Sequence, residues 1–338
     1  MITRAKVCFV SAICAMAGVF VVAGCHPWAF TRGKAAEHYV NAMSYQDAQL
    51  HRKAIEELEL AVLWSHDFSL AHSLMGEAYE AQGNYDKAAR SYTKACKLDP
   101  WSFKDHFALG RVYQALQQFV KAIEAYQRAV VLDPESAEAN YQLGMCYYET
   151  EQFEEAAKFA SRAAELKPED ANILSMLGDT YVKGGDSYKA INSYKRAIEQ
   201  DPGRVDAMLR LGTTYMDMQR YEPAEAILRK AVQTAPDDVE GHLALGYCLL
   251  RQGNRQESLD EYQRVVDIER DNYKGHNGIG VAMMALYLEQ PSRRELAQKA
   301  LEHWHRSLEL ESPQPRIQAL VDKYTREVFA GTSPLRGN

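Results

Sequence analysis

The sequence predicts an all-α solenoid of about eight stacked helix–turn–helix repeats, and three observations predict it. Seven glycines, Gly76, Gly110, Gly144, Gly178, Gly212, Gly246 and Gly280, recur at one unvarying interval. Internal periods of roughly 20 to 50 residues mark solenoids and related arrays, and a period of about 34 belongs to a helix–turn–helix unit. A tyrosine column, Tyr45, Tyr79, Tyr113, Tyr147, Tyr181 and Tyr215, keeps the same register, and the residue before each glycine is Met75, Leu109, Leu143, Leu177, Leu211, Leu245 or Ile279. These positions share one helical face, at i, i+3, i+4 and i+7. Finally, five units close on proline, at Pro100, Pro134, Pro168, Pro202 and Pro236.

The units start at Ala35, Ser69, Phe103, Ala137, Ala171, Val205, Val239 and Tyr273. In each, the glycine face belongs to the first helix. The second helix carries an alanine column, Ala54, Ala88, Ala122, Ala156, Ala190 and Ala224. Small side chains facing a glycine would let two helices approach to about 8–10 Å. Proline then stops the second helix and sets the turn into the next unit.

The ends depart from the pattern, as terminal repeats do. The first unit has Ala42 in the glycine column, the seventh has Arg270 in place of proline, and the eighth carries an insertion of about eight residues. That insertion is expected to lengthen the loop after Met284 to Glu289, with Pro291 breaking the first helix and Ser292 to Glu295 reading as a capping box. The repeat resumes at Ala300 and Trp304. Beyond Pro313 and Pro315, an apolar stripe of Ile317, Leu320, Val321, Tyr324 and Val328 predicts a lid helix over 315–330 that covers the last repeat face. The tail 331–338 is expected to be disordered.

The pattern of Leu-Gly, Tyr, Ala, Tyr and Pro resembles the tetratricopeptide repeat family column by column, over 35–314. The resemblance implies a right-handed superhelical solenoid with a concave groove, in which peptides bind. It implies a protein-binding scaffold with protein or peptide partners.

The first 24 residues belong to another physical class. Arg4 and Lys6 precede an uncharged, largely apolar stretch from Val7 to Val22, which Ala23, Gly24 and Cys25 follow. A basic start, an apolar stretch and small residues before a cleavage point describe an export signal. Small residues followed at once by cysteine resemble the bacterial lipoprotein signal, with 1–24 removed, Cys25 lipidated and 25–34 as a tether linker. Two alternatives stay open: a retained anchor, since about 17 to 25 apolar residues can span a bilayer, and an ordinary cleaved signal. His26 after Cys25 leans by analogy towards the periplasmic face of the outer membrane. The resemblance then implies a lipid-tethered adaptor of the cell envelope. Such repeat lipoproteins assist pilus, secretion or outer-membrane assembly, or wall remodelling. A passive spacer and an enzyme accessory subunit are the alternatives.

Removing Arg4 and Lys6 from the 39 basic residues leaves 37 against 46 acidic ones, a net charge of −9. That disfavours nucleic acid, which calls for a basic stripe, and broad electrostatic adhesion to anionic lipid. Cys96, Cys146 and Cys248 remain as free thiols. Cys146 and Cys248 occupy one column three repeats apart, far beyond the ~7 Å limit for a disulfide. His38, His72, His106, His242 and His276 all take the fourth position of their repeats. Equivalent positions lie a helix layer apart, so packing is the expected role and no metal is expected. His303 and His305 flank Trp304 and read as structural. No phosphate loop, Gly-x-Ser-x-Gly elbow, His-Glu-x-x-His pair or spaced Cys-x-x-Cys set is present. Neither enzymatic activity nor a cofactor is expected.

What remains is the face of each first helix that the glycine column does not use. Positions five, nine and twelve form a second stripe there. It reads Ser73, Glu77 and Glu80; Phe107, Arg111 and Gln114; Tyr141, Met145 and Tyr148; Ser175, Asp179 and Val182; Leu209, Thr213 and Met216; Leu243, Tyr247 and Leu250. Tyr, Met and Arg are enriched at interface cores, and methionine suits an adaptable surface. The expected partner contacts are Phe107, Arg111, Tyr141, Met145, Tyr148, Leu209, Met216, Leu243, Tyr247 and Leu250. Glu77 and Glu80 are expected to meet a basic end of the ligand. Neither the lysine–asparagine clamp of cytosolic co-chaperones nor the asparagine ladder of glycosyltransferase-linked repeats is matched on this stripe.

Overall fold

The structure, a computed structural model, describes residues 27–329. The expected export signal, Cys25 and the tail 331–338 lie outside the described residues. Among the described residues there are seventeen helices and no strand. The first pair is α1 (Pro27–Asp47) and α2 (His51–Trp64), followed by α3 (Ser69–Ala81) and α4 (Tyr85–Leu98), then α5 (Phe103–Ala115) and α6 (Phe119–Leu132). Next come α7 (Ala137–Glu149) and α8 (Phe153–Leu166), α9 (Ala171–Lys183) and α10 (Ser187–Gln200), and α11 (Val205–Asp217) and α12 (Tyr221–Thr234). The chain ends with α13 (Val239–Gln252) and α14 (Arg255–Ile268), α15 (Tyr273–Glu289) and α16 (Arg294–Leu310), and α17 (Pro315–Phe329). By internal contacts the chain forms two compact units, 1–150 with α1–α7 and 151–338 with α8–α17.

The glycine column does not face alanine. A Cβ added at Gly76 or Gly110 would lie 2.7 Å from the ring of Tyr92 or Tyr126 in the second helix. One at Gly212 would lie 2.6 Å from Leu228, and one at Gly246 3.0 Å from Tyr262. Gly178 and Gly280 face Tyr194 and Trp304 in the same way. The glycine is therefore a seat for a large side chain sixteen residues on, or twenty-four on in the last pair. The alanines, all fully buried, flank that ring and let the helices close around it.

A second periodic feature fixes the turn inside each repeat. The fifteenth residue is left-handed seven times over: Gln49, Gly83, Gln117, Glu151, Gly185, Gln219 and Gly253, with φ between 56° and 91°. In the second repeat the N–H of Gly83 donates to Glu80 O at 2.8 Å and that of Asn84 to Tyr79 O at 2.9 Å. These are the paired bonds of a Schellman motif, which satisfy carbonyls at the end of a helix. The same pair recurs at Gln117 and Gln118, on Gln114 O and Tyr113 O. Glycine takes this conformation freely, whereas glutamine pays a steric penalty. The turn between repeats is tied by Asp99, Asp133 and Asp201, each accepting the N–H two residues on at 3.1 Å. Ser102, Ser136, Asp170, Asp238 and Asn272 then cap the next helix.

The ends differ from expectation in three ways. Helix α1 begins at Pro27, so the described part of the expected linker is helical. In the eighth repeat, α15 and α16 each run to 17 residues, against 13 and 14 in α3 and α4. The helices absorb most of the insertion, and a helical turn keeps its backbone groups bonded where a loop would not. No capping box forms at Ser292, because Arg293 occupies the cap position and no side-chain bond is made. Beyond them α17 packs Ile317, Leu320, Val321 and Tyr324 against Trp304, Leu301 and Met284. Gln314 clamps this lid: its Nε2 donates to Ser307 O at 2.9 Å and Glu311 O at 2.7 Å, while its Oε1 accepts from Asn277 Nδ2 at 2.7 Å.

The glycine seat predicts opposite signs at two glycines. Gly110→Ala should lower stability by roughly 1–3 kcal/mol through overpacking against Tyr126. Gly33→Ala, in helix α1 with nothing within 4 Å, should be neutral or gain up to about 1 kcal/mol from helix propensity. Urea midpoints of the two variants against the parent check both.

Candidate functional site

The first helices within each unit present positions five, nine and twelve on one face. Behind that face stand the core tyrosines of the second helices, whose rings sit on glycine and whose hydroxyls point through to it. Tyr92 donates to Glu80 Oε2 at 3.2 Å, Tyr126 to Gln114 Oε1 at 3.0 Å, and Tyr194 to Asp179 Oδ1 at 2.6 Å. Burial pushes all three phenols far above their ordinary range, so they remain donors. A buried hydroxyl left unbonded would cost about 1–3 kcal/mol. The polar residues of the face are thus partners of the core.

They are also paired with one another across neighbouring repeats. In the first unit Glu80 takes a forked ion pair from Arg111, with Nε to Oε1 at 2.8 Å and Nη2 to Oε2 at 2.9 Å. Glu77 pairs with Lys104 at 2.5 Å. The hydrogen bond it donates to Glu80 holds the Arg111 guanidinium above its ordinary range, and that donated to Glu77 does the same for the Lys104 ammonium. In the second unit Asp179 pairs with Arg210. Two expectations are corrected here. Glu77 and Glu80 are occupied by this chain's own cations, and Arg111 is a bridge between repeats before it is a partner contact. Close opposite charges were reachable because each repeat returns the chain to the same face, one helix layer on.

Sequence reasoning missed Asp105, which is only 4% exposed and accepts a 2.5 Å hydrogen bond from Ser73 Oγ. Its place as the third residue of α5 gave no sign of burial beyond the Ser102 cap beside it, whose hydroxyl accepts its backbone N–H.

What the polar residues leave is apolar and half-exposed. In the first unit Phe107, Tyr141, Met145 and Tyr148 are all partly buried, with Phe107 stacked on Phe103 at 5.7 Å and edge-on to Tyr126 at 5.4 Å. In the second unit Leu209 and Met216 on α11 are partly buried, and Tyr247 on α13 is 43% exposed. Arg251 donates to the Tyr247 hydroxyl at 2.8 Å. Leu243 and Leu250 pack against a buried cluster of Tyr262, Ile279 and Ala282, so they serve the core as well as the face. The free thiols Cys96, Cys146 and Cys248 are buried, and burial pushes them up to about 12, about 12 and about 11. Thiols raised so far are poor nucleophiles and metal ligands.

Two members of the histidine column share a task. His242 Nε2 donates to Pro236 O at 2.9 Å and His276 Nε2 to Arg270 O at 3.1 Å. Asn140 makes the equivalent bond to Pro134 O at 3.2 Å. Each ties the first helix of a repeat to the turn that precedes it. His303 faces His276 with Nδ1 atoms 2.8 Å apart, while His305 is exposed. Among the described residues no group of three His, Cys, Asp or Glu converges as a metal site would require.

A family model described as the cilia and flagella-associated protein 70 C-terminal domain, a tetratricopeptide repeat domain, matches residues 34–277. No curated protein matches the chain. Among solved structures, the C-terminal part of a repeat-containing protein from Cytophaga hutchinsonii is 17% identical, with a TM-score of 0.62 over 71% of this chain and 99% of that one. YrrB, described as a TPR protein with an unusual peptide-binding site, is 24% identical, with a TM-score of 0.50 over 54% of this chain and 95% of its own. MamA is 31% identical, with a TM-score of 0.46 over 47% of this chain and 94% of its own.

Burial holds His72, His106 and His303 below the ordinary imidazole range. Below about pH 6.5 the unfolded chain therefore takes up protons that the folded chain refuses, and stability falls as pH drops. The urea midpoint should decline between pH 7.5 and 5.5. His106→Asn, which removes a buried imidazole, should remove part of that decline.

Proposed function

The chain belongs to the tetratricopeptide repeat family of the cilia and flagella-associated protein 70 C-terminal domain, and we propose that it is a membrane-tethered scaffold of the cell envelope. It holds partner segments on the faces of its first helices. The observation that carries this reading is the division of labour on those faces. Their charged residues are consumed by internal pairs, while Phe107, Tyr141, Met145 and Tyr148, and separately Leu209, Met216 and Tyr247, keep apolar surface open to solvent. Aromatic and methionine side chains set in a rim of satisfied polar groups are the make-up of an interface core. The partner is an extended or helical segment with apolar anchors. A basic end on the ligand is no longer required.

Arg4 and Lys6, the apolar stretch to Val22 and the sequence Ala23-Gly24-Cys25 support a lipid attached at Cys25. An envelope protein of this kind assists assembly of a larger machine, among them pilus, secretion, outer-membrane or wall-remodelling systems. The bound segment decides which.

A photo-crosslinking residue placed at Tyr148 or Tyr247 should capture the partner, and one at the exposed Tyr188 on α10 should not. Tyr148→Ala with Tyr247→Ala should weaken recovery of that partner about tenfold or more, as loss of aromatic anchors does. Equal recovery with an unchanged helical spectrum would remove these faces from the function. Metabolic palmitate labelling should be lost in Cys25→Ser, and label that persists would refute the tether.

A further inference from the structure

Every first helix begins, and every second helix ends, at a turn between repeats, so within a unit these turns line one edge of the helix stack. The side chains that project there are not set by the packing of the repeat and are free to differ. In the first unit several of them are large and apolar, standing beside charged residues such as Lys97 and Glu135. Trp101 is 82% exposed, Leu63 67%, Phe30 64% and Leu70 56%, and Trp64 and Val131 are exposed as well. Phe30 near the start of α1 meets Trp64 at the end of α2, with ring centroids 6.1 Å apart and planes at 87°. Leu60, Leu63 and Trp64 continue the patch along one face of α2, at i, i+3 and i+4. At the equivalent positions of the other repeats stand Asp67, Lys104 and Glu135 in the first unit and Glu169, Asp206 and Asp237 in the second. The repeat register alone therefore does not call for apolar side chains on this edge.

We infer that the turn edge of the first unit lies in the interfacial layer of a lipid bilayer, with Phe30, Leu63, Trp64, Leu70 and Trp101 seated among the headgroups. This rests on the membrane tether proposed above, and the occupant follows from where that tether is. Cys25 stands two residues before Pro27 and five before Phe30. Five residues span at most roughly 17 Å fully extended. Whether Cys25 carries acyl chains or the preceding apolar stretch stays in the membrane, a bilayer is within reach of this edge. Tryptophan favours the headgroup level, and tryptophan, phenylalanine and leucine make up the buried face of segments that lie in the interface. Apolar burial, not charge, supplies the attraction, in keeping with an acidic chain. It also answers the weakness of a single acyl chain, which binds only marginally.

The test uses the full chain with Trp28→Phe, reconstituted into vesicles of palmitoyl-oleoyl phosphatidylcholine with and without lipid brominated on the acyl chain. Of the remaining tryptophans, Trp64 and Trp101 lie on the edge and Trp304 is buried. Brominated vesicles should quench the emission about twofold, and 0.5 M NaCl should not reverse it. Leu63→Asp with Leu70→Asp should still float with the vesicles but lose the quenching. Flotation of the parent with no more quenching than this variant would overturn the docked edge and leave the tether standing. Failure of the parent to float would overturn the tether, and the docking with it. Flotation with unquenched tryptophans and a concentration-dependent dimer would assign the edge to a second copy of the chain, against the proposal.

Discussion

A large side chain lying flat on a glycine of the facing helix is the contact on which the rest of the structure depends. In four repeats the side chain is a tyrosine, Tyr92, Tyr126, Tyr194 or Tyr262; in the last it is Trp304. The missing Cβ lets the ring reach the backbone of the facing helix. The ring then carries its polar atom to the far side of the helix it sits on. Tyr92, Tyr126 and Tyr194 do so, and each fixes a polar residue on the outward face. In the last pair Trp304 Nε1 donates to Asn277 O at 3.3 Å instead. One contact thus specifies both the depth of the core and the orientation of the face above it.

This also decides which parts of the molecule could be read from the chain. The unvarying interval exposes the glycines, because a backbone so crowded admits nothing larger than the Ala42 of the first repeat. It does not say what crowds them, since a period gives position along a helix and not depth, and alanine and tyrosine both recur opposite. The left-handed turn residue is just as periodic in space but hidden in sequence. Gln49, Gln117, Glu151 and Gln219 fill four of its seven places, and only three carry the glycine that would reveal it. In the eighth repeat, extra residues between fixed columns look like loop. Two helices each lengthened by about one turn use the same count and leave fewer backbone groups unbonded.

On the face itself, register marks the apolar positions but not the pairing of the charged ones. Phe107, Met145, Met216 and Tyr247 are recognisable as surface residues by register alone. Glu80 and Arg111 stand nearly a full repeat apart in sequence, and nothing local marks them as a 2.8 Å ion pair. A solenoid makes such pairs easily, because stacking brings each position beside its counterpart one repeat on. A charged column in a repeat protein is therefore as ready to stitch neighbouring layers as to receive a ligand, and the half-exposed apolar residues are the better guide to binding. Leu243 and Leu250 mark the limit of that guide, since both reach back into a buried cluster.

Repetition separates the constraints on different surfaces of one scaffold. Residues facing the ring–glycine contact are held by packing, and those at the caps by the orphan donors of the helix ends. Turn-edge positions are held by neither, so hydration governs them, and exposed sites of a soluble array drift towards polar side chains. The second unit follows this rule, with Glu169, Asp237 and Asp271 at the residue before the cap. The first unit breaks it at Trp101, where the turn aspartate Asp99 accepts the tryptophan N–H as Asp133 accepts that of Glu135. Identical turn geometry serves both side chains, so the backbone gives no reason for tryptophan at this place.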